Sequence, residues 1–142
     1  MSYYSSEMAR IMAEHLPKPE TIQPVIRARR MIEKHACEGI DLDMMASEAC
    51  LSKFHFSRLF RRCYGCTPHQ YLTERRIEEA KGLLARGASV EEACFGTGFA
   101  SVPSFALLFR RQTGMAPRVF RARAVQGGRA WSERPGGRER GA

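Results

Sequence analysis

Acidic residues are missing from two long stretches of this chain. Between Ala49 and Thr73 every charged residue is basic (Lys53, Arg58, Arg61, Arg62), and between Ala93 and Ser132 the charges are Arg110, Arg111, Arg118, Arg121, Arg123 and Arg129. Long apolar runs are also lacking. None approaches the roughly 18 residues of a bilayer crossing, and the N-terminus has no basic region followed by an apolar run and a cleavage site. A cytosolic protein is the expectation. There is no Gly-rich phosphate loop, no serine elbow and no His-Glu-x-x-His pair. His15, His35, His55 and His69 are scattered, without a carboxylate at catalytic spacing. Catalytic residues, a metal and a cofactor are therefore not expected.

Disulfides are not expected either. The five cysteines (Cys37, Cys50, Cys63, Cys66, Cys94) are odd in number and lie mostly in apolar helical patterns, which suits reduced thiols. Cys63-Tyr64-Gly65-Cys66 is a C-x-x-C pair, but it straddles a helix-ending glycine. No second pair or histidine cluster completes a four-ligand site. Packing is the stronger reading of both thiols.

What the chain does have is excess positive charge: 23 Lys and Arg against 15 Asp and Glu, a formal +8 and a pI near 9.7. That balance suits a polyanionic partner. With 142 residues the chain holds one ordinary domain or two very small ones.

An internal repeat organises the middle. Leu59-Phe60-Arg61-Arg62 returns as Leu108-Phe109-Arg110-Arg111, and Gly65, Pro68 and Tyr71 return as Gly114, Pro117 and Phe120. Phe56 aligns with Phe105 and Ser52 with Ser101. Further upstream the register slips by one, so that Leu42, Met45, Ala46 and Leu51 match Val90, Ala93, Cys94 and Phe99 if the second copy carries an extra turn residue.

Each copy reads as helix, turn, helix. Asp41 caps a short helix bearing Leu42, Met45, Ala46 and Ala49, where the small Ala46 lets the next helix cross closely. A second helix over about 53–64 puts Phe56, Leu59, Phe60 and Cys63 inward and Lys53, Phe54, Ser57, Arg58 and Arg61 outward. In the other copy Ser89 to Glu92 forms a capping box, Gly98 serves the turn, and a helix starting near Pro103 turns Phe105, Leu108 and Phe109 inward. Between the copies a second capping box, Thr67 to Gln70 with Pro68, opens a helix that Gly87 closes. At about 19 residues it is roughly 28 Å long, close to the roughly 34 Å between successive major grooves on one face of DNA. Upstream, a helix from Pro24 to Cys37 is expected to pack on the first copy.

The expected organisation is an N-terminal extension over 1–21, with an amphipathic pattern within 7–16, a first lobe over 22–66, a linker helix over 67–87 and a second lobe over 88–125. The Arg/Gly-rich tail over 126–142 has a composition that does not offset ordering entropy. The fold class is all-α: two helix-turn-helix subdomains joined by a long helix, about seven helices in all, with homeodomain-like lobes.

The run Ser52-Lys53-Phe54-His55-Phe56-Ser57-Arg58-Leu59-Phe60-Arg61-Arg62 with Gly65, Thr67-Pro68 and Tyr71 resembles the first half of an AraC/XylS-family DNA-binding domain. Gly98-Phe99-Ala100-Ser101, Ser104-Phe105, Leu108 to Arg111, Gly114 and Pro117 to Phe120 resemble the second. The resemblance covers about residues 22–124. It implies a bilobed transcriptional regulator that binds two adjacent major-groove segments as a monomer, more often an activator. The size is similar to the short stand-alone members such as MarA and SoxS, with no effector domain visible. Carried over, Phe54, Ser57 and Arg58 face bases in the first lobe, and Pro103, Ser104 and Leu107 in the second. Ser52, Lys53, Arg61, Arg62, Ser101, Arg110, Arg111 and Arg118 meet the backbone. Leu107 departs from the family pattern, where arginine is common. Duplex DNA is the expected partner and RNA polymerase a further one. The alternative is a module that binds nucleic acid without reading sequence, or an adaptor for RNA polymerase; the aromatics, mainly at core positions, argue against an RNA-stacking surface.

Overall fold

The computed structural model describes the backbone of residues 19–132 and the side chains of residues 22–126. Among the described residues every regular element is a helix: α1 (Pro19–His35), α2 (Leu42–Glu48), α3 (Lys53–Tyr64), α4 (Pro68–Ala85), α5 (Val90–Gly96), α6 (Val102–Thr113) and α7 (Pro117–Ser132). The amphipathic pattern at 7–16 lies outside the described residues.

The chain divides into two compact units between Thr73 and Glu74, inside α4. In the first unit α1 contributes Val25, Ala28 and Ile32, with Ala36 just past its end, α2 contributes Met45 and Ala46, and α3 contributes Phe56, Leu59, Phe60 and Cys63; Ile40, Ala49 and, from the start of α4, Leu72 join that core. In the second, Ile77, Ala80 and Leu84 of α4 take the part that α1 plays in the first. They pack with Ala93 and Cys94 of α5 and with Phe105 and Phe109 of α6. The linker helix is thus no separate element: its first turns belong to one core and its remainder to the other.

Two boundaries differ from the pattern-based expectation. α1 begins at Pro19 rather than Pro24, so Pro24 lies inside the helix. At the sixth position Pro24 forgoes one backbone bond and crowds the carbonyl four residues back, whereas Pro19 suits the first position. At the other end α7 continues to Ser132, beyond residue 126. The Ala- and Arg-rich segment Arg121 to Ala124 favours helix strongly, and averaging composition over 126–142 hides how the helix carries into that stretch.

Candidate nucleic-acid interface

The two recognition helices are built alike from the end groups inward. α3 starts at Ser52, whose Oγ accepts from the His55 N–H at 3.2 Å; α6 starts at Ser101, whose Oγ accepts from the Ser104 N–H at 3.3 Å. Each ends on a left-handed glycine: Gly65 (φ 76°) donates to Arg61 O, and Gly114 (φ 84°) to Arg110 O, both at 2.8 Å. Inside, Phe56 and Phe60 lie 5.7 Å apart at 60°, and Phe105 and Phe109 lie 5.7 Å apart at 56°. The next helix sets an aromatic edge against each pair, Tyr71 on Phe60 at 5.6 Å and Phe120 on Phe109 at 5.3 Å. These offset and edge-on arrangements are the favourable ones for rings.

The preceding turns locate the one-residue slip. Leu51 donates to Ala46 O at 3.0 Å and Phe99 to Cys94 O at 3.1 Å, so these turns superpose with Cys50 opposite Gly98, both at positive φ (56° and 94°). The extra residue of the second unit is therefore Ala100, between Phe99 and the Ser101 cap.

With the aromatic faces buried, the outward faces follow. On α3, Phe54 is 80% exposed, Arg58, Arg61 and Arg62 are exposed, and Ser57 is half-buried. Lys53 is exposed but engaged, its Nζ 3.3 Å from Asp43 Oδ1. On α6, Leu107 is 53% exposed beside exposed Pro103, Ser104, Arg110 and Arg111, and Arg118 is exposed on the first turn of α7. The structure thus brings Phe54, Arg58 and Arg61 onto one side of α3, and Pro103, Leu107 and Arg110 onto the matching side of α6. The cap serines Ser52 and Ser101 sit at the helix starts. Their oxygens are used in capping, while their O–H groups remain donors.

Not every arginine of the basic blocks belongs to such a face. Arg121 donates from Nε to Ala88 O at 2.9 Å and from Nη2 to Gly87 O at 3.0 Å, tying α7 to carbonyls just past the end of α4. In the first unit Arg29 donates to Tyr64 Oη at 3.1 Å and to Glu33 at 3.1 Å, and its guanidinium lies 5.5 Å from the Tyr64 ring centre. Tyr71 donates to Glu33 as well, so α1 locks the end of α3 and the start of α4. Burial, with the Glu33 bond adding to it, pushes the Tyr71 hydroxyl up. Sequence reasoning missed both locks, since the partners lie more than 30 positions apart without a local pattern.

The Cys63 thiol is buried and pushed above its ordinary value by that burial, with Arg62 opposing. Among the described residues no three His, Cys, Asp or Glu side chains converge as a metal site would require, and no helix is long and apolar enough to cross a membrane.

A family model described as a helix-turn-helix domain matches residues 45–123, from α2 into α7. The backbone is similar to that of an AraC-type DNA-binding-domain regulator from Chromobacterium violaceum (TM-score 0.67, 27% identity, covering 75% of this chain and 96% of that one). The chain belongs to the AraC/XylS family. It is also similar to the DNA-binding domain of AdpA, a global transcriptional factor crystallised with a target DNA (TM-score 0.65, 33% identity, 70% of this chain and 90% of that one). The probable transcription factor PqrA of Proteus vulgaris is 34% identical over 85 residues, 59% of this chain and 70% of its own length. In other curated family members the matching segment makes up between 30% and 35% of a longer protein, and one of these is described as a transcriptional activator. Members of this family are helix-turn-helix regulators of transcription, and this chain is one of them.

Proposed function

We propose that the chain binds two adjacent major-groove segments of duplex DNA as a monomer, with the first unit reading sequence and the second chiefly clamping the backbone. The observation that carries this is a contrast on matched scaffolds: Arg58 on α3 and Leu107 on α6 stand at the same position of the repeat, 49 residues apart, and both are exposed. An arginine there grips guanine O6 and N7 with two hydrogen bonds, worth roughly 1–3 kcal/mol of discrimination; a leucine offers only apolar contact. Phe54 presses on a thymine methyl and Ser57 adds a short polar contact. Pro103, Ser104 and Leu107 supply the weaker readout of the second unit.

Phosphates are met by Ser52, Lys53, Arg61 and Arg62 in the first unit and by Ser101, Arg110, Arg111 and Arg118 in the second. Lys53 must exchange Asp43 for phosphate; an exposed ion pair worth about 0–1 kcal/mol gives way readily. Docking of the two units in successive major grooves on one face of the duplex favours half-sites about one helical turn, roughly 10 base pairs, apart. The activity is transcriptional activation in the cytoplasm, with RNA polymerase counted among the partners.

Selection of bound duplexes from a random pool tests the reading. A site with most of its sequence information in one half is the expected result. Equal information in both halves removes the division of labour, and no enriched sequence at all favours a non-specific or adaptor role.

A further inference from the structure

Beside α1, and lined by no residue of α3, the first unit carries an open groove of about 590 Å³. Its floor is apolar: Met31 and Ile40 line it with Met44, which is 47% exposed although it sits in a helix that buries its neighbours Met45 and Ala46. One rim is a row of cations. Arg27, Arg30 and Lys34 follow one another at i, i+3 and i+7, so the row is about 10 Å long. All three are exposed and form no ion pair among the described residues. Two carboxylates also line it: Glu38, which pairs with His35, and Glu48 on α2 rather than on the helix that bears the cations.

We propose that this groove is a protein-docking surface for an amphipathic helix with carboxylates along one flank of its apolar stripe. Three occupants are conceivable for a basic surface, and the residues discriminate among them. A phosphate backbone has no use for an apolar floor with an exposed methionine, and the groove draws nothing from the recognition helix. A second copy of this chain would bring the cation row against itself. An acidic amphipathic helix satisfies both features: its apolar side chains cover Met31, Ile40 and Met44, the flexible thioethers of the two methionines adapting to varied shapes, and carboxylates at helical spacing meet Arg27, Arg30 and Lys34. The one-sided rim also fixes the direction in which such a helix lies.

The test uses the full chain and two synthetic helical peptides with the same leucine stripe, one flanked on a single side by glutamates at i, i+4 and i+7, the other by lysines. Fluorescence anisotropy is expected to give saturable binding of the glutamate peptide only. Reversing two exposed charges (Arg30→Glu with Lys34→Glu) is expected to weaken it about tenfold or more and to confer binding of the lysine peptide. Duplex affinity measured in parallel stays within about twofold, because neither residue is part of the DNA-binding faces. Equal binding of both peptides, or of neither, overturns the proposal. So does a loss of duplex affinity with a shallower salt dependence in the reversed variant, which would make this face a phosphate contact. Because duplex affinity is read separately, failure of the docking surface and failure of the DNA reading are distinguishable.

Discussion

Cys50 occupies the left-handed region at φ 56°, where the second unit has Gly98 at φ 94°. A side chain costs about 1–2 kcal/mol in that conformation, part of which glycine returns through its greater freedom when unfolded. Cys50→Gly is therefore expected to raise stability by about 0.5 kcal/mol in urea unfolding. The opposite change, Gly98→Ala, meets a second obstacle: its Cβ would stand 2.9 Å from Arg76 Nε, the same guanidinium that lies 5.9 Å from the Phe99 ring centre. A loss of about 1–2 kcal/mol follows from strain and the displaced arginine together. Exposure also orders the thiols. Cys50 is exposed, whereas Cys63 and Cys94 are buried and burial raises both of their pKa values. Alkylation of the folded protein is expected to mark Cys50 early and to reach Cys63 and Cys94 only on unfolding. Peptide mapping after timed iodoacetamide treatment checks this, and fast labelling of Cys63 in the native protein would contradict its placement in the core.

Among the elements, those whose determinants are local were legible in the sequence. The caps at Asp41, Thr67 and Ser89 each act on a group three residues away and are read from spacing; those at Ser52 and Ser101 have the same spacing but emerge only with the structure. The inward aromatic pairs repeat at helical spacing and were legible for the same reason. The bonds from Arg121 to the Gly87 and Ala88 carbonyls, and those that join Arg29 and Glu33 to Tyr64 and Tyr71, were not, because the partners lie more than 30 positions apart and only folding makes them neighbours. The candidate DNA faces stand between these cases. Periodicity identifies their outward positions, but the engagement of Lys53 by Asp43 depends on how α2 meets α3. Helix ends at the margins were the least legible: nothing around Pro24 or residue 126 marks a boundary more strongly than the true one. Removing a recognition-helix cap, as Ser52→Ala or Ser101→Ala, is expected to cost about 1 kcal/mol each by chemical denaturation. Each substitution also deletes a hydroxyl donor at the proposed DNA face, so duplex affinity should fall while the preferred sequence stays the same.

For the molecule as a whole, pH and salt give separate readouts of core and surface. Cys63, Cys94, Tyr64 and Tyr71 all have pKa values raised by burial. A group whose pKa is higher folded than unfolded keeps its proton longer in the native state, so stability is full below the unfolded value and declines as pH rises past it. With an ordinary thiol value of 9.0, unfolding free energy should be level near neutrality and fall above about pH 9. A rise there would mean that these groups ionise more easily in the native protein. Salt separates the two proposed DNA roles. Arg111→Ala is expected to weaken all duplexes alike and to reduce the slope of log K against log salt by about 0.9, one phosphate's worth. Arg58→Ala should instead flatten preference at one base pair.

The matched end-stops of α3 and α6, serine at one end and left-handed glycine at the other, separate what the helices need for folding from what they display. Leu107 takes no part in the second core, so Leu107→Arg should leave the thermal transition within about 0.5 kcal/mol of the parent while introducing a guanine preference into the half-site proposed to have little. The repeat therefore works as a pair of equivalent sockets, in which new vocabulary can be written into one without rewriting the grammar of either.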